Sequence, residues 1–225
     1  DQYMAIEGAN GLVAAIADAH SLEDAGSLIL SPLQDGTLGS SDAPYDGLIA
    51  LDGNLTEALL CDIATDTAFR AADLRLAPAS PGKAKRLVPF LKEGRGTFYV
   101  NLAEAQLILN QRFDDAPEAA QAMVAAGAAR ALVTNGAQIA ADATSQDCLT
   151  GSPPNVQVHR ITGAGDSFMA GLVTGLAYGQ SLRDAILRGS ACASITVSRP
   201  GCAPAMADTP TLEKFMADHA GPTDL

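Results

Sequence analysis

The chain has 225 residues and a formal net charge of −12 at pH 7, and 48% of its residues are hydrophobic but only 4% are aromatic. This composition argues against a nucleic-acid partner, because binding to a phosphate backbone needs a basic face. No apolar run reaches the roughly 18 residues of a membrane span and no basic-then-apolar leader is present, so the sequence predicts a cytoplasmic protein without a membrane partner.

The first segment, YMAIEGANGLVAAIAD (residues 3–18), alternates in a way that predicts two strands. They would meet at a turn near Asn10-Gly11, a dipeptide that favours hairpins. We expect residues 1–20 to form part of a β lid. Because this hairpin begins at once and the first residue is Asp1, we also expect an N-terminally incomplete chain.

The next segments alternate between short apolar runs and stretches with helical spacing. The runs are SLILSP (27–32), GLIALD (47–52), DLRLAP (73–78), TFYVN (97–101) and RALVT (130–134), and the helical stretches are 55–71, 81–93 and 116–127. Strands that alternate with helices predict an α/β domain with a mainly parallel central sheet, and ligands bind such sheets at the carboxyl ends of the strands. We predict a single domain over residues 1–225.

The last third changes character twice. Residues 138–160 predict short antiparallel strands at a sheet edge. From Gly165 the spacing is helical, with Phe168 and Leu172 on one apolar stripe, and Gly179 is placed to end that helix. Two further helices are predicted at about 181–198 and 210–218.

The stretch HRITGAGDSFMAGLVTGLAYG (159–179) places a glycine turn before the helix. A dinucleotide fingerprint would need glycine where Phe168 stands, and no Lys-Ser or Lys-Thr pair follows as in a Walker A loop. What remains is a turn that opens a helix, whose N–H groups and dipole favour an anion. Asp166 is then either an ordinary acidic residue of a first helical turn or a base beside that anion.

Four segments together resemble the PfkB family of ribokinase-like carbohydrate kinases. In chain order they are VNLAEAQLIL (100–109), VTNGAQ (133–138), TGAGDSFMAGL (162–172) and SACASITVSRPGCAP (190–204). The resemblance implies a ribokinase-like three-layer α/β/α fold with a small β-hairpin lid. It also implies transfer of the γ-phosphoryl group of ATP to a hydroxyl of a sugar or nucleoside.

The resemblance assigns a role to each matching position. Asp166 would be the catalytic base. The other implied roles are an anion hole (Gly163, Ala164, Gly165), a Mg²⁺ site (Asn101, Glu104) and nucleotide contacts (Thr134, Gly136, Ser190, Ser194). Spacing alone favours a simpler interpretation, in which Asn101 ends a strand and Glu104 lies on the helix after it.

Two features of the sequence depart from the family or narrow it. The family commonly has an Asp, often linked to a monovalent cation, where this chain has Arg160, which puts that ion in doubt. About a third of a family domain is expected to precede the first residue.

The hairpin ending AIAD is similar to that of pseudouridine kinases, and its exposed edge suggests a homodimer through the lid. A non-catalytic nucleotide-binding or regulatory protein of the same fold is the alternative.

Overall fold

The computed structural model describes residues 2–8, 11–201 and 208–219. Contacts between residues divide the chain into two compact units, which are described separately. Unit 1 consists mainly of residues 17–135 and 141–149, and unit 2 consists mainly of residues 3–16, 136–140 and the chain from 150 onward. The expectation of a single domain stays a prediction.

The described residues contain eight strands and nine α-helices. The strands are β1 (Gln2–Gly8), β2 (Gly11–Asp18), β3 (Leu48–Asp52), β4 (Asp73–Ala77), β5 (Thr97–Asn101), β6 (Arg130–Thr134), β7 (Ala140–Ala143) and β8 (Cys148–Gly151). The helices are α1 (His20–Ala25), α2 (Ser31–Gln34), α3 (Glu57–Thr65), α4 (Val88–Lys92), α5 (Leu102–Leu109), α6 (Ala116–Ala125), α7 (Ala164–Ala177), α8 (Leu182–Val197) and α9 (Thr209–Asp218).

Strands β3 to β8 form one six-stranded sheet in chain order. β3 to β6 are parallel neighbours, whereas β7 runs antiparallel to β6. A parallel connection needs a crossover of a dozen or more residues, and helical segments fill each of these intervals. The predicted α/β fold, with a mainly parallel sheet and short strands after residue 138, is confirmed.

The core of unit 1 lies between this sheet and its helices. Phe69, Phe90 and Phe98 are at most 1% exposed, and burial of such a ring stabilises the fold by roughly 1.5–3 kcal/mol. β5 is buried along its first four residues, as expected of a central parallel strand. This packing fixes the carboxyl ends of β5 and β6.

The strand predicted at residues 27–32 is wrong. A 3₁₀ helix spans Gly26–Leu30 and α2 follows it directly. Leu28 is 75% exposed and Ile29 38% exposed, so this apolar run has no sheet face to cover. Pro32 lies in the first turn of α2, a position that accepts its missing N–H. Such a short apolar run does not distinguish strand from helix by periodicity.

In unit 2, α7 and α8 are joined by a short loop and pack closely. Gly179, at φ +74°, follows the end of α7 as predicted. A Cβ atom on Gly171 would lie 2.7 Å from the Cys192 sulfur, and one on Gly189 would lie 2.7 Å from the carbonyl oxygen of Phe168. Glycine therefore sets the distance between these two helices.

Strands β1 and β2 form a separate two-stranded sheet. The predicted strands are thus present, whereas the turn residue Asn10 lies outside the described residues. Met4, Ile6, Val13 and Ile16 are each 58–72% exposed, an unusual exposure for side chains of this size. Within the described ranges, no helix is long and apolar enough to cross a membrane.

Candidate active site

Several predicted site residues lie at the carboxyl edge of the sheet in unit 1. Asn101 ends β5 and Thr134 ends β6, and these two residues are paired in the register of the parallel strands. Asp52 ends β3 at the same edge. Ligands of open parallel sheets bind at this edge, so the register gathers candidate residues where a ligand is expected.

Asn101 and Glu104 form a reciprocal capping box at the start of α5. The Asn101 side-chain oxygen accepts from the Glu104 N–H at 2.9 Å, and Glu104 Oε2 accepts from the Asn101 N–H at 2.9 Å. Glu104 is only 8% exposed. The box therefore orients a buried carboxylate, and it explains the Asn-x-x-Glu spacing structurally whether or not a metal binds.

The donor set at this position fits a hydrated Mg²⁺ ion rather than a protein cage. Among the described residues, no group of three or more His, Cys, Asp and Glu side chains could enclose a metal. Mg²⁺ in phosphoryl-transfer sites usually keeps several waters and takes one or two carboxylates together with substrate phosphates. One buried, oriented carboxylate with a neighbouring amide oxygen matches that preference.

The loop after β3 is held by a network that the sequence did not predict. Asp52 accepts from the Asn54 backbone N–H at 2.8 Å and from its side-chain amide at 2.9 Å. Lys83 Nζ donates to Asn54 Oδ1, and Arg86 Nη1 donates to the carbonyl oxygens of residues 53 and 55. The Asp-x-Asn turn was a readable local signal, but its cationic partners come from about 30 residues away.

A second polar group lies on the sheet below this edge. Arg75 Nη1 donates to the Tyr99 hydroxyl at 2.8 Å, and Arg130 makes two hydrogen bonds to the buried Asp142 carboxylate. Burial raises the pKa of Tyr99 above its ordinary value, against the lowering effect of Arg75. Tyr99 therefore stays protonated at neutral pH, and the group serves to order neighbouring strands.

The two nucleotide residues predicted near the end of β6 are the last residue of that strand and a residue of the turn after it. Thr134 is half-buried, and Gly136, two residues later, is exposed with φ +57°. A Cβ at Gly136 would meet no atom within 4 Å, so the backbone conformation rather than space favours glycine here. The turn is open to solvent, and no described contact assigns it a ligand.

The start of α7 in unit 2 differs from the other helix starts. Gly163 precedes the helix at φ +88°, a conformation that favours glycine, and Asp166 lies exposed in the first turn. Gly165 is also exposed, with open space around it. Among described helices of eight or more residues, α7 alone starts without a side-chain capping bond.

This uncapped start has a chemical consequence. The first N–H groups of a helix have no partner within the helix, and the dipole adds positive potential there. In α7 the N-cap residue is Gly163, which has no side chain to accept from them, while the Ala164 N–H donates to the Ile161 carbonyl oxygen at 3.2 Å. The exposed carboxylate of Asp166 lies in the same first turn. An anion hole beside a base is an arrangement suited to transfer of a charged group.

The predicted adenine segment lies largely on α8. Ser190 is half-buried and Ser194 is 4% exposed, and the Ser194 carbonyl oxygen accepts from the Ser198 hydroxyl at 2.7 Å. Residues 202–204 of that segment lie outside the described residues. The described part places both serines on one helix, and whether they contact a nucleotide stays a prediction.

Arg160 lies just before the glycine turn and reaches the far end of α8. Its Nη1 donates to the carbonyl oxygen of Pro200 at 2.8 Å, and its backbone N–H donates to Val197 at 3.3 Å. A cation near a helix carboxyl end interacts favourably with the dipole. The guanidinium therefore supplies a fixed positive charge where carbonyl oxygens are directed.

Comparison with known proteins supplies the family context. A model described as "pfkB family carbohydrate kinase" matches residues 46–210. No curated protein matches the chain. Three solved structures illustrate the structural likeness, and all of them are less than 25% identical, so they establish the fold alone.

A carbohydrate kinase from Agrobacterium tumefaciens has a TM-score of 0.73 and 24% identity, over 96% of this chain and 67% of that one. Phosphofructokinase-2 from Escherichia coli in complex with potassium has a TM-score of 0.66 and 21% identity, over 80% and 59%. Ribokinase from Thermotoga maritima has a TM-score of 0.63 and 19% identity, over 81% and 59%. The predicted ribokinase-like fold is confirmed.

Proposed function

The chain belongs to the pfkB family of carbohydrate kinases, and from that premise we propose that it transfers the γ-phosphoryl group of ATP to a hydroxyl of a sugar or nucleoside. The observation that carries the proposal is the start of α7. There an uncapped helix N-terminus and an exposed Asp166 stand side by side. A kinase needs both groups, one for charge and one for a proton.

Asp166 acts as the general base. It accepts the proton of the acceptor hydroxyl as that oxygen forms a bond to the γ-phosphorus. The bond between the γ-phosphorus and its bridging oxygen to the β-phosphate breaks, and ADP leaves with that electron pair. General-base catalysis of this kind contributes roughly 10²–10⁴-fold to the rate.

Gly163, Ala164 and Gly165 form the anion hole. The Ala164 N–H also donates to the Ile161 carbonyl oxygen at 3.2 Å, so Gly163 and Gly165 are the main proposed donors to the oxygens of the transferring group, whose charge grows along the reaction. Gly163 at φ +88° turns the chain into α7, and the open space at Gly165 leaves room for a phosphate to approach the backbone. These residues stabilise the transition state without moving, because the helix has already ordered them.

Glu104 and Asn101 are the proposed Mg²⁺ residues. A bound Mg²⁺ ion would neutralise charge on the phosphates. Glu104 would orient that ion mainly through water, since Oε2 already accepts from the Asn101 N–H. For the nucleotide itself we propose Thr134, Gly136, Ser190 and Ser194, on the strength of the family resemblance.

Two finer proposals concern the acceptor and the ion requirement. The AIAD ending of the hairpin supports pseudouridine as the favoured acceptor, with ribose or another sugar next. Potassium is bound in phosphofructokinase-2 from E. coli. Here Arg160 supplies a fixed cation at the Pro200 carbonyl, so we expect activity without added potassium.

The hairpin also supports a proposal about assembly. Met4, Ile6, Val13 and Ile16 are exposed on a two-stranded sheet, which would gain from contact with a second copy of the lid. We therefore propose a homodimer through residues 1–20. We place the reaction in the cytoplasm, where ATP is available.

The test is ADP release by the full-length protein with Mg²⁺-ATP and each of pseudouridine, uridine, adenosine, ribose and fructose. The key variant is Asp166→Asn. The matched control is Asp184→Asn, because Asp184 is the first-turn carboxylate of the neighbouring helix α8. We expect one acceptor to give activity that falls by roughly 10²–10⁴ in the first variant and stays unchanged in the second.

The contrary outcomes are distinct. ATP binding without transfer to any acceptor would reject the kinase proposal and support the alternative, a non-catalytic nucleotide-binding protein. Equal activity of Asp166→Asn and wild type would remove the base from the mechanism. Measurement with tetramethylammonium in place of potassium tests the ion proposal separately.

A further inference from the structure

We propose that Thr196 is a positioning residue for the catalytic turn. Its buried hydroxyl, bonded to Ser167, holds residues 161–166 against the last turn of α8 and so fixes where Asp166 stands. The role of Asp166 rests on the proposed kinase function, whereas the structural clamp does not depend on it.

After the glycine turn, the chain is bonded to α8 through the hydroxyl groups of Ser167 and Thr196. Thr196 Oγ1 lies 2.7 Å from Ser167 Oγ and 2.9 Å from the carbonyl oxygen of Cys192, and Thr196 is 0% exposed. A carbonyl oxygen only accepts and a hydroxyl has one proton. Both bonds therefore form together when Thr196 donates to Cys192 and Ser167 donates to Thr196.

This arrangement makes Thr196 costly to alter. Loss of its hydroxyl leaves the Ser167 proton without that acceptor, next to the residue that carries the reaction. It also leaves the Cys192 carbonyl oxygen without the side-chain bond. A buried donor or acceptor that is left without a partner costs more free energy of folding than one hydrogen bond contributes net.

The entry side of the turn is bonded to the same part of α8. The backbone N–H groups of His159 and Arg160 both donate to the Val197 carbonyl oxygen, at 2.7 and 3.3 Å. Arg160 Nη1 adds the bond to Pro200. Residues 196–200 therefore hold the chain on both sides of the glycine turn at residues 163–165.

Close helix packing extends the clamp. Because a Cβ on Gly189 would lie 2.7 Å from the Phe168 carbonyl oxygen, α7 and α8 are also in contact at the residue directly after Ser167. Side chains in protein interiors are packed too densely to absorb a shift without rearrangement. A displacement of α8 is thus transmitted to the turn, and α8 also carries Ser194, a proposed nucleotide residue.

The catalytic consequence follows from distance. A misplacement of reacting groups by 1 Å can cost about 10²-fold in rate even when the altered residue does not touch the substrate. We therefore expect Thr196→Val to lower kcat by roughly ten- to a hundredfold while KM for ATP is unchanged. Thr196→Ser, which keeps the hydroxyl, should restore most of the rate.

The matched control is Thr65→Val in α3. Thr65 bonds the carbonyl oxygen of Cys61, four residues earlier, as Thr196 bonds that of Cys192, but it lies in unit 1. Amide hydrogen exchange over residues 160–168 is the second readout, because it reports the turn itself. Exchange there should be faster in Thr196→Val and equal to wild type in Thr65→Val.

A second variant tests the bond from the other side. Ser167→Ala should resemble Thr196→Val in kcat and in exchange, and the double variant should be no worse than either single one, because all three lose the same bond. If Thr196→Val fails to fold, Ser167→Ala carries the test alone. Additive losses, or kcat and exchange both equal to the control, would overturn the clamp.

The two proposals fail in different ways. Faster exchange at residues 160–168 in a protein that phosphorylates no acceptor would support the clamp and reject the kinase. Normal exchange in an active kinase would reject the clamp and leave the function intact. A loss of kcat that Thr196→Ser does not restore would also count against the hydroxyl.

Discussion

Helices α5 and α7 both begin at predicted site residues, but their first turns are built differently. At α5, the side chains of Asn101 and Glu104 each accept a hydrogen bond from the other residue's backbone N–H. At α7, Gly163 offers no capping side chain and Asp166 is exposed. The closed start pairs two backbone N–H groups with side chains and orients one carboxylate. The open start has no capping side chain at Gly163, and the one N–H bond described there runs from Ala164 to the Ile161 carbonyl oxygen.

This difference separates two roles that look alike in sequence. Both stretches read as an acidic residue in a first helical turn, and both suit a helix start. The closed start underlies the proposed cation role, because its buried carboxylate is held in one orientation by the Asn101 N–H. The open start fits an anion, because N–H groups and the helix dipole face it.

The largest effect is expected from a negative charge placed at the start of α7. Gly163→Asp places a carboxylate where the phosphoryl group is expected, and Asp tolerates the positive φ of this position better than most residues. We expect kcat/KM for ATP to fall by roughly 10²–10³, comparable to loss of an oxyanion donor. Steady-state kinetics at saturating acceptor measures this effect.

Gly163→Asn is the matched control, since it has nearly the same size and tolerates the same backbone conformation without the charge. Its loss should be markedly smaller. Equal losses in the two variants would show that shape, not charge, governs the turn, and would weaken the assignment of residues 163–165 as an anion hole.

The next test removes the charge at the closed start but keeps the box. In Glu104→Gln the side-chain oxygen still accepts from the Asn101 N–H, so the free energy of unfolding should not change. The half-saturating Mg²⁺ concentration for activity should rise roughly tenfold, as for other residues that orient a metal. Glu118→Gln is the control, because Glu118 accepts from the Asp114 N–H at the start of α6.

An unchanged Mg²⁺ requirement in Glu104→Gln would assign this carboxylate to capping alone. A rise in both Gln variants would point to a general loss of negative charge. Only a rise confined to residue 104 supports the proposed metal role.

A smaller effect compares two closed starts. Asn101→Ala and Asp115→Ala each remove a side chain that caps a helix, at distances of 2.9 Å in both cases. Each should lower the free energy of unfolding by about 1 kcal/mol in urea denaturation. Activity should fall only in Asn101→Ala, and an equal fall in both would trace the loss to stability.

The sequence predicted the elements whose signal is local. Strands such as Thr97–Asn101 combine a short apolar run with a polar end, and Gly179 marked the end of α7 because a positive φ favours glycine. The strand predicted at residues 27–32 was wrong because a run of three apolar residues suits a strand and a 3₁₀ helix equally. Only the tertiary contacts, which leave Leu28 exposed, decide between them.

The candidate site was predictable to the same extent. The glycine turn and the Asn-x-x-Glu spacing were visible, since each depends on residues within one turn. The bond between Thr196 and Ser167 joins residues 29 apart, and no spacing rule connects them. The same holds for Lys83 and Asn54, whose contact depends on how the 3₁₀ helix Pro81–Leu87 meets the loop after β3.

The smallest expected effect concerns the start of α9, which is capped by the carboxylate of Asp208. Hydrogen bonds from Thr211 lower the pKa of Asp208 below its ordinary value. A carboxyl group with a depressed folded-state pKa stabilises the fold above the unfolded pKa, and this contribution is lost as the pH falls through the folded value. An NMR titration should therefore place the Asp208 midpoint below that of an unfolded peptide, and Thr211→Val should raise it.

The same spectra provide the contrast with α7. Added inorganic phosphate should shift the amide signals of Gly163 and Gly165, because the donors of an open start are accessible to an external anion. It should leave the Thr211 amide in place, because Asp208 already occupies that donor at 3.0 Å. Shifts at both helix starts would mean that phosphate follows the helix dipole in general, and the open start would then confer no selectivity. Shifts confined to α7 would show that selectivity for an anion arises where a helix lacks its own acceptor.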